Sequence, residues 1–395
     1  MLASRNDGHG TRSCCRERSY SKQEKHSTYK INSFFRKSKQ TIITYQEKCF
    51  FLKFPQFKES SSSLTSATPR IIGPLRSLYV SQREFAVTHP HDNKVTILGS
   101  DDITTAHLLI IRHTGSGATG FCHLDAGHEE GISSMIQRIL SLSFHYDGRF
   151  EMHLLGGFAD PKGIAQDLTV SILQILHKQR AELDLITCAV NELCTLHRNG
   201  VPWPLISGIG VCVETGEIFP AQFTDKGPDL DIRNARTLTG GEKCWEELRI
   251  GPFSYEPVRA VDFWLQQSDD FLRQALSTCP EVAPPQFVIN LRAVLKRIKE
   301  DPYPSVTVFQ SNCPRYYRKD EHSGRWLPSY IKEEHPQVMH HQQAPQQVLQ
   351  QQQPQLTNHI PPSHHVPPTH HLASPGWVTP APITCTDNSL TQPYY

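Results

Sequence analysis

The stretch Ile97-Leu-Gly-Ser-Asp-Asp-Ile-Thr-Thr-Ala-His-Leu-Leu-Ile-Ile-Arg-His-Thr-Gly-Ser-Gly-Ala-Thr-Gly-Phe-Cys-His-Leu-Asp125 decides how the rest of the chain is read. It opens on a turn-rich Gly99-Ser-Asp-Asp102 and continues into an apolar run, Ala106–Arg112. Thr114-Gly-Ser-Gly117 then reverses the chain into a second strand, Ala118–Leu124, so a β-hairpin is expected. Ala106 and His123 are 17 positions apart, and their midpoint falls between Thr114 and Gly115, inside the turn. They are therefore expected within ~4.5–8 Å of each other, as direct or diagonal cross-strand partners. Taken alone, His123 reads as a polar strand residue whose ring is satisfied by its neighbours. Cys122 points to the opposite face, because adjacent strand residues alternate.

Working outward, Leu78–Val80, Glu84–Val87 and Lys94–Leu98 read as short strands rich in β-branched and aromatic residues. Ile132–Leu142 places Ile132, Met135, Ile136, Ile139 and Leu140 at helical spacing, and Ile164–His177 does the same with Leu168, Ile172 and Leu176. Further strands are expected at Phe150–Leu155, Leu185–Leu193, Leu205–Val213 and Ile218–Phe223. Helices are expected at Phe263–Leu276 and Phe287–Lys299, the latter stopped by Pro302 and Pro304. Val306–Phe309 and Tyr316–Trp326 read as a closing pair of strands. The expected class is α+β or α/β, a single mixed and mainly antiparallel sheet domain with packed helices, over residues 71–330.

The flanks differ in composition. Residues 1–70 are basic and Ser-rich, with Lys and Arg outnumbering acids roughly three to one, as in solvated tails. Within them, the apolar Ile42–Phe57 reads equally as a short strand or arm packed on the domain or as a misplaced or unfolded segment, and Glu59–Ala67 reads as a Ser/Thr linker. Residues 331–395 are rich in Gln, His and Pro, with a near repeat of His359–His365 in His365–His371. Such a segment has too little apolar surface to offset its ordering entropy, so both ends are expected to be disordered.

At 395 residues the chain can bury a large core, and its 37% hydrophobic content fits a globular body with unpacked ends. A net charge of +1 gives no global field for nucleic acid or membrane surfaces. There is no apolar run near the ~20 residues that span a bilayer, and no secretory-signal pattern. The 11 cysteines show no C-x-x-C pairs and no zinc-ligand spacing, which points to reduced thiols, no metal, and a cytoplasmic or nuclear protein.

Seven blocks along the body carry a resemblance: Gly99-Ser-Asp-Asp102, Arg112-His-Thr-Gly115, His153-Leu-Leu-Gly-Gly-Phe158, Gly208–Ile218, Asn234-Ala-Arg-Thr-Leu-Thr-Gly-Gly241, Arg249-Ile-Gly-Pro252 and Val261-Asp-Phe-Trp-Leu265. In order and kind they resemble the protein N-terminal asparagine amidohydrolases, over approximately residues 73–330. Leu98-Gly99-Ser100, His123 and Gly156-Gly157 also look like elements of the bacterial chemoreceptor glutamine deamidases. The resemblance implies a deamidase fold built around a Cys–His pair, with no cofactor.

It further implies that a cysteine at the position of Ala106 attacks the side-chain amide of an N-terminal Asn. Backbone N–H groups would hold the oxyanion, and His123 would protonate the departing ammonia. Water would then hydrolyse the thioester and leave Asp, feeding a ubiquitin-dependent degradation route that reads N-terminal residues. Asp101 or Asp102 are candidates for the substrate's α-ammonium, or equally for turn and cap bonds, and Ser100 and Thr104 are further substrate-contact candidates. Ala106, however, carries a methyl group where the scheme needs sulfur. Thr105 and Cys122 point away from the site, and Thr104 would need a base in reach. Two expectations follow: an amidohydrolase acting on proteins and peptides with N-terminal Asn, or an inactive relative that binds them or partner proteins. Neither involves nucleic acid or a membrane.

Overall fold

The expected Ala106–Leu124 hairpin lies inside a six-stranded sheet. The computed structural model describes residues 29–30, 54–126, 129–238, 249–255, 260–320 and 322–329. The expectations for residues 1–28, 31–53 and 331–395, and for part of the Asn234–Gly241 block, lie outside the described residues.

Strands β1 (Tyr29–Lys30), β4 (Phe85–Thr88), β6 (His107–His113), β7 (Thr119–Leu124), β8 (Phe150–Phe158) and β9 (Leu183–Asn191) make this sheet, in the order β1-β9-β8-β6-β7-β4. Strands β6 and β7 pair antiparallel with Leu108 opposite His123, and β8 and β9 run parallel. A second sheet, β2-β13-β12-β5-β3, is built from β2 (Arg70–Ile72), β3 (Ser77–Tyr79), β5 (Ile97–Ser100), β12 (Ile209–Cys212) and β13 (Ile218–Phe223). The mixed, mainly antiparallel character is as expected. The strands nonetheless divide between two main sheets rather than joining one.

Alternation along the strands explains the layering. Leu109, Ile111, Cys122, Leu154 and Leu185 point to one face of the six-stranded sheet. There they meet helices α2 (Glu129–Ser143) and α3 (Ile164–Lys178), whose inward stripes include Met135, Ile139, Ile172 and Leu176. Leu108, Ile110, Phe121 and Leu155 point to the other face and pack on Leu98, Ile209 and Val211 of the second sheet. The body is thus three layers: helices, six strands, five strands. Leu140, expected to face inward on α2, is 40% exposed.

The Ser/Thr segment expected as a linker is helical. Helix α1 (Pro55–Ser66) starts on Pro55, and Phe57, Ser61 and Leu64 share its buried face. Phe57 is fully buried, which contributes about 1.5–3 kcal/mol, and Ser61 Oγ donates to the Leu193 carbonyl at 2.6 Å. Tertiary burial here overrides the weak helix propensity of four consecutive serines.

Smaller elements complete the body. Strands β10 (Thr195–Arg198) and β11 (Val201–Pro204) form a hairpin absent from the sequence expectations. Helix α4 (Leu230–Leu238) is followed by β14 (Arg249–Ile250). The helix expected over Phe263–Leu276 is two, α5 (Val261–Gln266) and α6 (Asp269–Leu276). Ser268 separates them by accepting the Phe271 N–H as an N-cap. Helix α7 (Phe287–Glu300) packs against them through Leu291 and Leu295.

Val306–Phe309 is not a strand. Pro304 starts the short helix α8 (Pro304–Thr307) there, and the closing hairpin is instead β15 (Arg315–Lys319) with β16 (Trp326–Ser329). Among the described residues no helix is long and apolar enough to cross a membrane.

Candidate active site

His123 lies on β7, on the face turned toward the second sheet, and Ser100 ends β5 directly beneath it. Ser100 Oγ and His123 Nδ1 are 2.8 Å apart, and Ser100 is fully buried. Ala106 immediately precedes β6. Since Leu108 is the direct partner of His123, Ala106 sits two residues away on the same face, a diagonal neighbour. Its side chain belongs to the inter-sheet core with Ile103 and Leu155. Cys122 faces the opposite way, into the helix-side core, and the Thr105 hydroxyl points to Thr278 at 3.4 Å. Thr104 is half-buried in the turn.

Glycines allow the backbone to close around position 106. Gly156, at φ +88°, packs against Ile103 and the Ala106 carbonyl, where a Cβ would lie 3.0 Å from that oxygen. Gly157, at φ +64°, packs against the buried His107 ring, which bonds Thr169 at 2.8 Å. His107 is therefore held on the helix side of the sheet. Burial drives its pKa down to about 3, so it is neutral at physiological pH.

His123 is also neutral there. Burial lowers its pKa to about 4, against the opposing pull of Asp125, Glu84 and Asp102. A neutral imidazole that donates its Nδ1–H to the Ser100 hydroxyl carries its lone pair on Nε2, the form in which it can accept a proton. The hydroxyl of Ser100, expected as a substrate contact, lies within hydrogen-bond distance of this ring.

The two acids of the opening turn have separate surroundings. Asp101 is buried and accepts from the Tyr79 hydroxyl at 3.1 Å and the Phe223 N–H at 2.7 Å, and pairs with Lys226 at 2.8 Å. It ties β3, β5 and β13 together. Asp102 is exposed, in a left-handed turn at φ +57°, and pairs with Lys226 as well.

Sequence reasoning missed the support behind His123. The backbone of Glu84 accepts the His123 N–H at 3.0 Å, and the His123 carbonyl accepts from the Arg83 N–H at 2.9 Å. The Glu84 carboxylate is buried between Arg233 and Arg236, with Arg233 Nε at 2.8 Å and Arg236 Nη2 at 3.1 Å. Burial alone would raise its pKa. The two guanidinium charges outweigh that and hold it below the ordinary value. Arg83 binds both oxygens of Asp125 at 2.9 Å on the other side. A signal was present in the sequence: Arg233 and Arg236 alternate with apolar Ile232 and Ala235 on α4, so two arginines share its inner surface and require a buried acid.

Fold and site together define a layered α/β protein whose central hairpin presents a neutral, serine-bound imidazole beside position 106. The family model described as protein N-terminal asparagine amidohydrolase matches residues 67–328. Curated relatives of that name are 42% identical in Sus scrofa and 41% in Homo sapiens, each over 280 residues covering 69% of this chain and 90% of the relative. One from Arabidopsis thaliana is 27% identical over 307 residues, covering 87% of its length. The chain belongs to the protein N-terminal asparagine amidohydrolase family of hydrolases.

Proposed function

We propose that this chain keeps the family's pocket for an N-terminal Asn and its acid/base machinery, and lacks the nucleophile that turns binding into hydrolysis. The observation that carries the reading is the pairing of Ser100 with His123 at 2.8 Å beside Ala106, a diagonal neighbour on the same face. His123 is the proton-transfer residue, and Ser100 fixes its ring. Asp102, exposed at the turn, faces the α-ammonium in exchange for Lys226, while Asp101 holds the strands that carry the turn.

In the complete reaction a thiolate at position 106 attacks the amide carbonyl of the Asn side chain. The tetrahedral adduct collapses to a thioester as ammonia leaves with the proton that the imidazole supplies. Water, deprotonated by His123, then releases Asp and the free thiol. A methyl group supports none of these covalent steps. The unmodified chain therefore retains proteins and peptides with N-terminal Asn unchanged. It acts in the cytoplasm or nucleus beside the ubiquitin-dependent route that reads such termini.

Incubating the purified chain and its Ala106→Cys variant with an Asn-initiated peptide tests this. The unmodified chain should retain the peptide without releasing ammonia, and Ala106→Cys should convert it to the Asp form. Ammonia release by the unmodified chain, lost on His123→Ala, would make it an active enzyme with another nucleophile and overturn the proposal. An inert Ala106→Cys variant would show that more than the sulfur is missing.

A further inference from the structure

Strands β4 and β3 are the outer strands of the six- and five-stranded sheets, and a cleft of about 1420 Å³ opens beside them. Helix α2 supplies one wall through Arg138 and Leu142, and the β15–β16 hairpin supplies another. That hairpin is anchored: Lys319 Nζ donates to the Ser77 carbonyl at 2.7 Å, and Trp326 Nε1 donates to Asp225 at 3.0 Å. The cleft is separate from the His123 site. It is lined at the Thr88 end of β4, whose partner Thr119 lies four residues along β7 from His123, about 13 Å at strand rise.

The lining is unevenly charged. Arg76, Lys94 and Arg318 are exposed on it and form no ion pair or side-chain hydrogen bond among the described residues. The two lining acids are turned to local partners: Asp92 accepts from the Thr88 hydroxyl at 3.0 Å, and Asp320 from the Ser323 N–H and hydroxyl at 2.7 Å. Between the cations lie Leu75, Leu78, Val87, Val95 and Leu142. Three cations without an ion-pair partner among the described residues, outnumbering the two lining carboxylates around an apolar floor, fit a ligand with carboxylates on its edges and aliphatic groups between them.

Size and stacking choose among anionic ligands. The cleft exceeds the ~300–1,000 Å³ typical of small-molecule pockets, so a polymer segment fits it better than a single phosphate. Single-stranded nucleic acid needs free aromatic faces, whereas Lys319 already lies 4.7 Å over the Trp326 ring and Arg315 5.9 Å over the Tyr317 ring. We propose that this cleft binds an acidic, partly aliphatic polypeptide segment, at a place on the protein distinct from the site for the N-terminal residue.

Fluorescence anisotropy of the full chain with a short labelled peptide of alternating Glu and Leu tests this, with the Lys-Leu counterpart and a single-stranded oligonucleotide as comparisons. The Glu-Leu peptide should bind, weaken as salt rises, and lose at least about tenfold in affinity when Arg76→Glu and Arg318→Glu are combined. The N-terminal arm keeps its charge in that variant, so the loss reports the cleft. His123→Ala should leave the affinity unchanged. Equal binding of the Lys-Leu peptide, no binding of the Glu-Leu peptide, or unchanged affinity in the doubly substituted chain with an unaltered melting temperature would each overturn the proposal. So would tighter binding of the oligonucleotide that the same substitutions abolish.

Discussion

The two faces of the six-stranded sheet are made by the same strands and do different work. Cys122 and His123 are adjacent, yet one is sealed under α2 and α3 and the other is bonded to Ser100 of the second sheet. The helix-covered face is largely aliphatic, with His107 as a polar exception at its end, and its groups are inert because burial disfavours charge. The Cys188 thiol, for example, is pushed well above the thiol range by burial alone. The sheet-covered face is apolar in the middle and gathers polar groups where β5, β6 and β7 end. A strand's period of two therefore divides the β6–β7 hairpin into a structural half and a chemical half.

The comparison can be broken or sharpened by substitution, and the largest effect is expected on the chemical face. With Ala106→Cys as the active background, adding His123→Ala should lower kcat by about 10²–10⁴-fold, measured as ammonia release from an Asn-initiated peptide. A loss below tenfold would remove His123 from the proton transfers. Stability should respond next. Glu84→Gln leaves two buried guanidinium groups without their carboxylate and should cost about 3–5 kcal/mol in chemical denaturation, whereas an unchanged midpoint would mean that the pair is already solvated.

On the helix-covered face, Leu109→Ala should cost about 2–5 kcal/mol through the cavity it leaves. In the Ala106→Cys background it should leave the KM for the Asn peptide near its starting value. A large KM change would show that the two faces are coupled.

The smallest effect concerns pH. The folded His123 ring takes its proton near pH 4 and the unfolded one near the ordinary 6.5, so within that window the unfolded chain binds more protons. The stability tied to this neutral ring is complete above about pH 6.5 and is lost as pH falls toward 4. Melting temperature should drop on acidification through that window, and His123→Gln should shallow the drop. An identical slope in the variant would reject the assignment.

Local rules made much of this legible. The hairpin, the opposite facing of Cys122 and His123, and the helices under the sheet follow from alternation, Gly-rich turns and a 3.6-residue period. Features set by distant partners were not legible. The serines of α1 read as a linker because nothing local shows that Phe57 and Leu64 find a sheet to cover. Val306–Phe309 has strand composition, but Pro304 and the pocket that buries Phe309 bend it into a helical turn. Asp101 read equally as a contact for the substrate's α-ammonium or as a turn residue with local bonds, and the N–H it accepts belongs to Phe223, 122 positions away.

The sequence by itself determined the central hairpin, the face on which His123 lies, the family, and the absence of sulfur at position 106. Covalent neighbours and side-chain period suffice for the hairpin and the facing of His123, whereas the family and the missing sulfur are legible through the resemblance of the ordered sequence blocks. Only the tertiary structure decided that the strands form two sheets, that Ser100 engages the His123 ring, and that Arg233 and Arg236 enclose Glu84. Each of these depends on burial and hydrogen bonding between segments far apart in the chain, which no local spacing encodes.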